Sequence, residues 1–325
     1  MKLKFFFLII FPLTLTAQHS QKEIPRDTSY TVYSTYEKLL KDYPFIQIVT
    51  IQDTSEIRVE KDIVYTSYGE RDLHLDLFLP IEKNKIPFPV VIIIHGGGWK
   101  SGDKSMNHPM AINLAQNNYA AATVEYRLSP EAKYPAAIYD LKAAIRWMKA
   151  NAHNYNIDTT KISVLGFSAG GTLAAFIGTT NGNKKFEREG ENENHLSDIQ
   201  AIVDIDGILD FTHPAESGKD TDLSKPSAGK QWFGYSYKEN PEIWKEASPV
   251  NYVNKNTAPI VFINSSLERF HAGRDEMIEK LKSFNIYYEV HTIPETPHSF
   301  WLFYPWFDQT SGYAINFLDK VFKKK

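Results

Sequence analysis

The sequence predicts an α/β domain with a mostly parallel central sheet, helices covering both faces, and insertions at one end. Three observations lead there. Short, continuously apolar runs of strand length recur along the chain, and the run PVVIIIH at 89–95 is typical. With no polar alternation, both faces of such a strand must be covered. Segments of helical period separate these runs, which calls for crossover connections and therefore parallel strands. Two polar, turn-rich stretches interrupt the alternation. With 325 residues, 42% hydrophobic and 23% charged, the chain has apolar material for a full core.

In chain order, MKLKFFFLIIFPLTLTAQ comes first: lysines at 2 and 4, an apolar run from Phe5 to Leu15, and the small Ala17 before a cut. This is the pattern of a secretory signal over residues 1–17. The run falls short of the ~20 apolar residues a spanning helix needs, and no later segment reaches that length. The expectation is an exported protein, periplasmic or extracellular, with no membrane span. Residues 18–56 are polar and aromatic with weak periodicity; they read as an N-terminal arm on the domain, with no assigned chemistry. The domain proper is expected over 57–325. Residues 57–67 and 72–80 alternate as a half-buried antiparallel pair would. Buried strands are expected at 89–95, 120–126, 161–167, 199–205 and 259–264, with a more alternating strand at 287–292. Helices are expected at 135–151, 171–178, 274–284 and 313–322. The interruptions at about 181–197 and 211–246 read as lid insertions over one end of the sheet. No repeat of solenoid period occurs.

Composition removes several function classes. Lys and Arg total 36 against 39 Asp and Glu, a formal charge of −3. So little positive charge argues against nucleic acid as a partner. There is no cysteine, which excludes disulfides, thiolate metal sites and a cysteine nucleophile. No His or carboxylate cluster shows ligand spacing, so neither metal nor cofactor is expected.

The chemistry concentrates in two glycine-rich motifs. GFSAGG at 166–171 follows the strand KISVL and opens a helix rich in Ala and Leu. Gly-x-Ser-x-Gly between strand and helix makes a tight turn that projects the serine hydroxyl into a site and aims a helix N-terminus at it. HGGGW at 95–99 ends the strand PVVIII. Its glycines let backbone N–H groups approach a reacting carbonyl oxygen, and each such donor is worth ~3 kcal/mol in an oxyanion hole. The N–H groups of Gly97, Gly98 and Ala169 are the candidates for that hole. His95 is expected to brace the loop. No Lys-Ser/Thr and no GxGxxG follow, so a phosphate-binding loop is disfavoured.

These motifs, with EYRLSP at 125–130 and YPAA at 134–137, resemble in order and spacing the α/β-hydrolase fold, specifically its hormone-sensitive-lipase-like esterase branch. The later half resembles the exported carbohydrate esterases of that superfamily: acetyl and feruloyl esterases and those found with pectin-degrading enzymes. The residues behind this narrower likeness are NSS at 264–266, RFHAGRD at 269–275 and HSFW at 298–301. The fold's chain order of nucleophile, acid and histidine then points, among ten histidines, to His298 as the base, in the loop after the strand YYEVHTI. His291 lies inside that strand. Ser168 is the expected nucleophile. The acid departs from the pattern, because the position that normally carries it after APIVFINSS holds Leu267. Two alternatives stand: Glu268, one residue on, or Asp206 at the end of the strand AIVDID, where a carboxylate would otherwise be costly to bury. Asp210 lies further into the insertion, and Asp275 reads as a helix cap.

Aromatics crowd the insertions and the histidine loop, among them Trp99, Trp232, Phe233, Trp244 and Trp301. Such rings stack on sugars or line an acyl pocket, although any single one is more often core. Arg269 and Arg274, flanking His271, suit a substrate carboxylate or a structural ion pair. The resulting expectation is a serine esterase acting on acyl groups, foremost acetyl, of a cell-wall polysaccharide such as xylan or pectin. A feruloyl esterase, a pectin methylesterase or a peptidase would use the same machinery. A catalytically silent glycan-binding relative is the alternative from another class.

Overall fold

The computed structural model describes residues 24, 26–51, 53–81, 86–187, 191–219 and 225–322. The expected signal at 1–17 lies outside the described residues. The arm carries α1 (Val32–Leu39) and a two-residue strand, β1 (Gln47–Ile48). There follow β2 (Ile57–Tyr68), β3 (Arg71–Pro80), β4 (Phe88–Ile94), α2 (His108–Gln116), β5 (Ala120–Val124), α3 (Ala136–Ala150), β6 (Ile157–Phe167) and α4 (Ala169–Thr179). The second half runs β7 (Ala201–Ile205), α5 (Pro214–Ser217), α6 (Ala228–Phe233), α7 (Pro241–Glu246), β8 (Ile260–Asn264), α8 (Arg274–Ser283), β9 (Tyr288–Thr292), β10 (Phe303–Tyr304) and α9 (Trp306–Phe322).

Eight strands form one sheet in the order β2-β3-β5-β4-β6-β7-β8-β9. Pairing is antiparallel for β2–β3 and β3–β5 and parallel from β5 through β9. This is the α/β-hydrolase arrangement the motifs implied. Successive side chains of a strand point to opposite faces, and the apolar runs feed both. On β4, Val90, Ile92 and Ile94 join the core under α3 and α4, while Val91 and Ile93 join the core under α2 and α9.

Three expectations need correction. The alternation of β3 suggested a solvent-facing side, yet β3 is an interior strand and Asp76 is 1% exposed. Lys104 Nζ at 2.7 Å and His108 Nε2 at 2.8 Å bind its two oxygens. Burial alone would raise this carboxyl, but those bonds hold it well below the usual carboxylate range. The described residues of the 181–197 insertion do not cover the nucleophile. They follow α4, whose first turn adjoins Ser168 and whose 11 residues put the insertion at the far end, roughly 16 Å away. There Phe186 packs on Phe176, and Glu187 pairs with Lys142 and Arg146 of α3. The 211–246 insertion carries α5, α6 and α7 and does reach the glycine turn, as described below. Helix limits also differ: α4 starts at Ala169, α9 starts at Trp306, and α1 and α2 are helices beyond those the sequence predicts. The arm is tied down, since β1 pairs with β10 just beyond the histidine loop. Among the described residues no helix is long and apolar enough to cross a membrane.

Candidate active site

Ser168 sits between β6 and α4 with φ +53° and ψ −118°, a conformation a non-glycine residue holds only when its surroundings impose it. They do so by close packing. A Cβ at Gly166 would overlap the carbonyl of Gly170, and a Cβ at Gly170 would overlap the carbonyl of Ile94 at the end of β4. The Ser168 N–H donates to Ile205 O at 2.8 Å, locking the turn to β7. Because α4 begins at the very next residue, the partial positive charge of its N-terminus lies beside the hydroxyl.

His298 reaches this serine from the loop after β9. Its Nε2 lies 2.8 Å from Ser168 Oγ, and its Nδ1 lies 2.9 Å from Asp206 Oδ2. An ionised carboxylate only accepts, so Nδ1 carries the proton and Nε2 is left to accept from the hydroxyl. Asp206 is fully buried, with φ +55° where the chain turns out of β7. Its second oxygen accepts the Ser265 N–H at 2.8 Å. Of the two carboxylates considered for the acid, Asp206 is the one in contact with the imidazole. Glu268 lies exposed in the short turn Glu268–His271. Two residues before Asp206, burial foremost and the neighbouring Asp206 charge as well push Asp204 well above the carboxylate range, which leaves it neutral beside that carboxylate.

The loop after β8, where the acid normally stands, supplies an apolar group. Phe270 stacks flat on the His298 ring, with centroids 3.7 Å apart and planes 4° from parallel, while Trp301 meets it edge-on at 5.1 Å. The two rings hold the plane of the imidazole between the carboxylate and the serine. No sequence signal marked Phe270 for this position.

The glycine turn lies directly against the serine turn: a Cβ at Gly96 would come 3.3 Å from Ser168 Cβ. Gly97 has φ +118°, and a Cβ there would overlap Ser101 O. Gly97 O accepts from Lys100 N and Ser101 N. The N–H groups of Gly97, Gly98 and Ala169 have no acceptor among the described residues. His95 is buried, with Nδ1 2.8 Å from Gly96 O and its ring stacked on Tyr126. Burial lowers its pKa, so it is a neutral brace.

The substrate candidates are placed differently from expectation. Trp99 is only 4% exposed and stacks on Trp232 at 4.7 Å beside Phe211, so it holds the insertion to the glycine turn. A Cβ at Gly98 would likewise touch Ala228 of α6. Trp301 is 3% exposed and backs the histidine. Arg269 is held by Glu216, Nε to Oε1 at 2.5 Å, and Arg274 by Asp275 and Asn264 Oδ1. His271 Nε2 lies 2.9 Å from Ser265 O. Both arginines thus have protein partners. His291 pairs with Glu289 and stacks on Tyr313, away from the serine.

The chain matches the BD-FAE family over residues 75–287. Esterase LipC of Mycobacterium tuberculosis is 29% identical over 203 residues, 61% of this chain and 47% of its own. The chain spans about half the length of the curated relatives it matches. A truncated carbohydrate esterase from gut microbiota aligns with a TM-score of 0.72 at 26% identity, covering 82% of this chain and 97% of that one. A bifunctional GH43-CE protein of Bacteroides eggerthii aligns with a TM-score of 0.70 at 26% identity, covering 81% and 38%. The family match takes in β4 with the glycine turn, the serine turn and β7 with Asp206, and the chain belongs to the BD-FAE family of the α/β-hydrolase superfamily.

Proposed function

We propose that the protein is an exported serine esterase that removes acyl groups, foremost acetyl, from a cell-wall polysaccharide such as xylan or pectin. The observation that carries the hydrolase reading is the continuous relay Asp206–His298–Ser168, with both hydrogen bonds under 3 Å. In this reading His298 takes the Ser168 proton at Nε2 as Oγ attacks the ester carbonyl. Asp206 holds Nδ1–H and stabilises the imidazolium. The N–H groups of Gly97, Gly98 and Ala169 receive the oxyanion. His298 then returns the proton to the leaving alcohol, and water hydrolyses the acyl-enzyme by the same steps in reverse.

The carbohydrate class draws support from the structural neighbour named as a carbohydrate esterase. A small acyl group suits the wall next to the glycine turn, where Trp99, Trp232 and Phe211 fill the space with one another. Export rests on the N-terminal sequence pattern.

The test is to incubate residues 18–325 with acetylated xylan and with native pectin, and to quantify acetate, methanol and ferulate side by side. The expected result is acetate release that disappears in Ser168→Ala. Serine-dependent methanol or ferulate alone would reassign the acyl group. Serine-dependent cleavage of peptides with no release from either polymer would replace the substrate class.

A further inference from the structure

We propose that Tyr30 is a positioning residue that ties the glycine turn to the loop carrying His298, so that the N-terminal arm helps hold the catalytic geometry. This rests on the esterase reading above. One residue touches both loops. Its N–H donates to Ser101 Oγ at 3.0 Å, and its phenol oxygen lies 3.2 Å from Ser299 Oγ.

Each contact sits one short step from a reacting group. Ser101 is fully buried, and its own N–H donates to Gly97 O at 3.1 Å, closing the glycine turn that packs against the serine turn. Ser299 directly follows His298 and has φ +74°. A residue other than glycine is strained in this left-handed conformation, so it persists only where something holds it. Tyr30 supplies that hold from one side, and the Leu302 N–H on Ser299 O supplies it from the other. The arm is itself anchored along the same stretch. Asp27 bridges Ser101 and pairs with Lys100 at 3.0 Å, and Arg26 reaches Glu125 at 3.5 Å. Burial pushes the Tyr30 phenol up to about 12, so the hydroxyl stays neutral throughout the working range of an esterase. Further along, Val49 N donates to Leu302 O and β1 pairs with β10. The histidine loop therefore stays docked when the phenol is removed, and the loss is one of alignment rather than folding.

The experiment measures kcat and KM for p-nitrophenyl acetate, the rate of Ser168 labelling by a fluorophosphonate, and Tm. The proteins are wild type, Tyr30→Phe, Ser299→Ala, Ser101→Ala and the double variant Tyr30→Phe/Ser299→Ala. Tyr30→Phe should lower kcat and the labelling rate together by about 5- to 10-fold, the scale of one lost hydrogen bond. KM should stay within about twofold and Tm within a few degrees. The double variant should be no slower than its worse single, because both remove the same contact. Wild-type kcat in Tyr30→Phe, a loss confined to KM, or losses that multiply in the double variant would each overturn the proposal while the esterase reading stands. If the wild type itself shows no turnover or labelling that depends on Ser168, the esterase reading fails and this inference fails with it.

Discussion

Replacing Ser168 with alanine is expected to abolish ester hydrolysis and leave the fold intact. The substitution removes only Oγ, so the N–H bond to Ile205 O and the packing of Gly166 and Gly170 remain. What disappears is the hydroxyl proposed as the nucleophile, which lies 2.8 Å from His298 Nε2. Knocking out the nucleophile of a comparable triad costs on the order of 10⁶ in kcat, and the residual rate comes from the oxyanion hole and binding alone. Hydrolysis of p-nitrophenyl acetate should fall to near the uncatalysed rate, with a thermal melt matching wild type. A variant that kept measurable wild-type turnover would remove Ser168 from the chemistry.

The second large effect is expected for Asp206→Asn. Asparagine keeps a carbonyl oxygen for the Ser265 N–H but turns an NH₂ donor toward His298 Nδ1. The imidazole then takes the other tautomer, with its proton on Nε2, and can no longer accept from Ser168. A rate loss of about 10⁴ is the scale of that error. Glu268→Gln is the paired control and should stay within about twofold of wild type, because Glu268 points to solvent. Comparable kcat values for the two variants would contradict the assignment of the acid.

What could be read in advance follows the range of each interaction. GFSAGG and HGGGW are contiguous, and their glycines are dictated by overlaps within a few residues or with the adjacent strand, so both turns were legible locally. The order of apolar runs conveyed the sheet. Asp206 and Glu268 could not be separated in sequence, because the deciding contact joins residues 92 positions apart. The same holds for Phe270 against His298, which only the fold brings face to face. Trp99 reads as a substrate wall in sequence because aromatics near a site suggest one. Its inward direction follows a backbone φ of +58° that its residue type does not announce. Asp76 reads as solvent-facing until Lys104, in the turn just before α2, and His108, at the first residue of that helix, are seen to bind it. The 181–197 stretch is polar enough to mark an insertion, but polarity does not say at which end of α4 it sits.

The most direct test of the account is to react the wild-type protein with a fluorophosphonate and locate the adduct by peptide mass spectrometry. A single adduct on Ser168, lost in Ser168→Ala and slowed by orders of magnitude in Asp206→Asn, is the predicted result. An unreacted Ser168 in folded protein, or an adduct on another residue that accounts for all the activity, would contradict it.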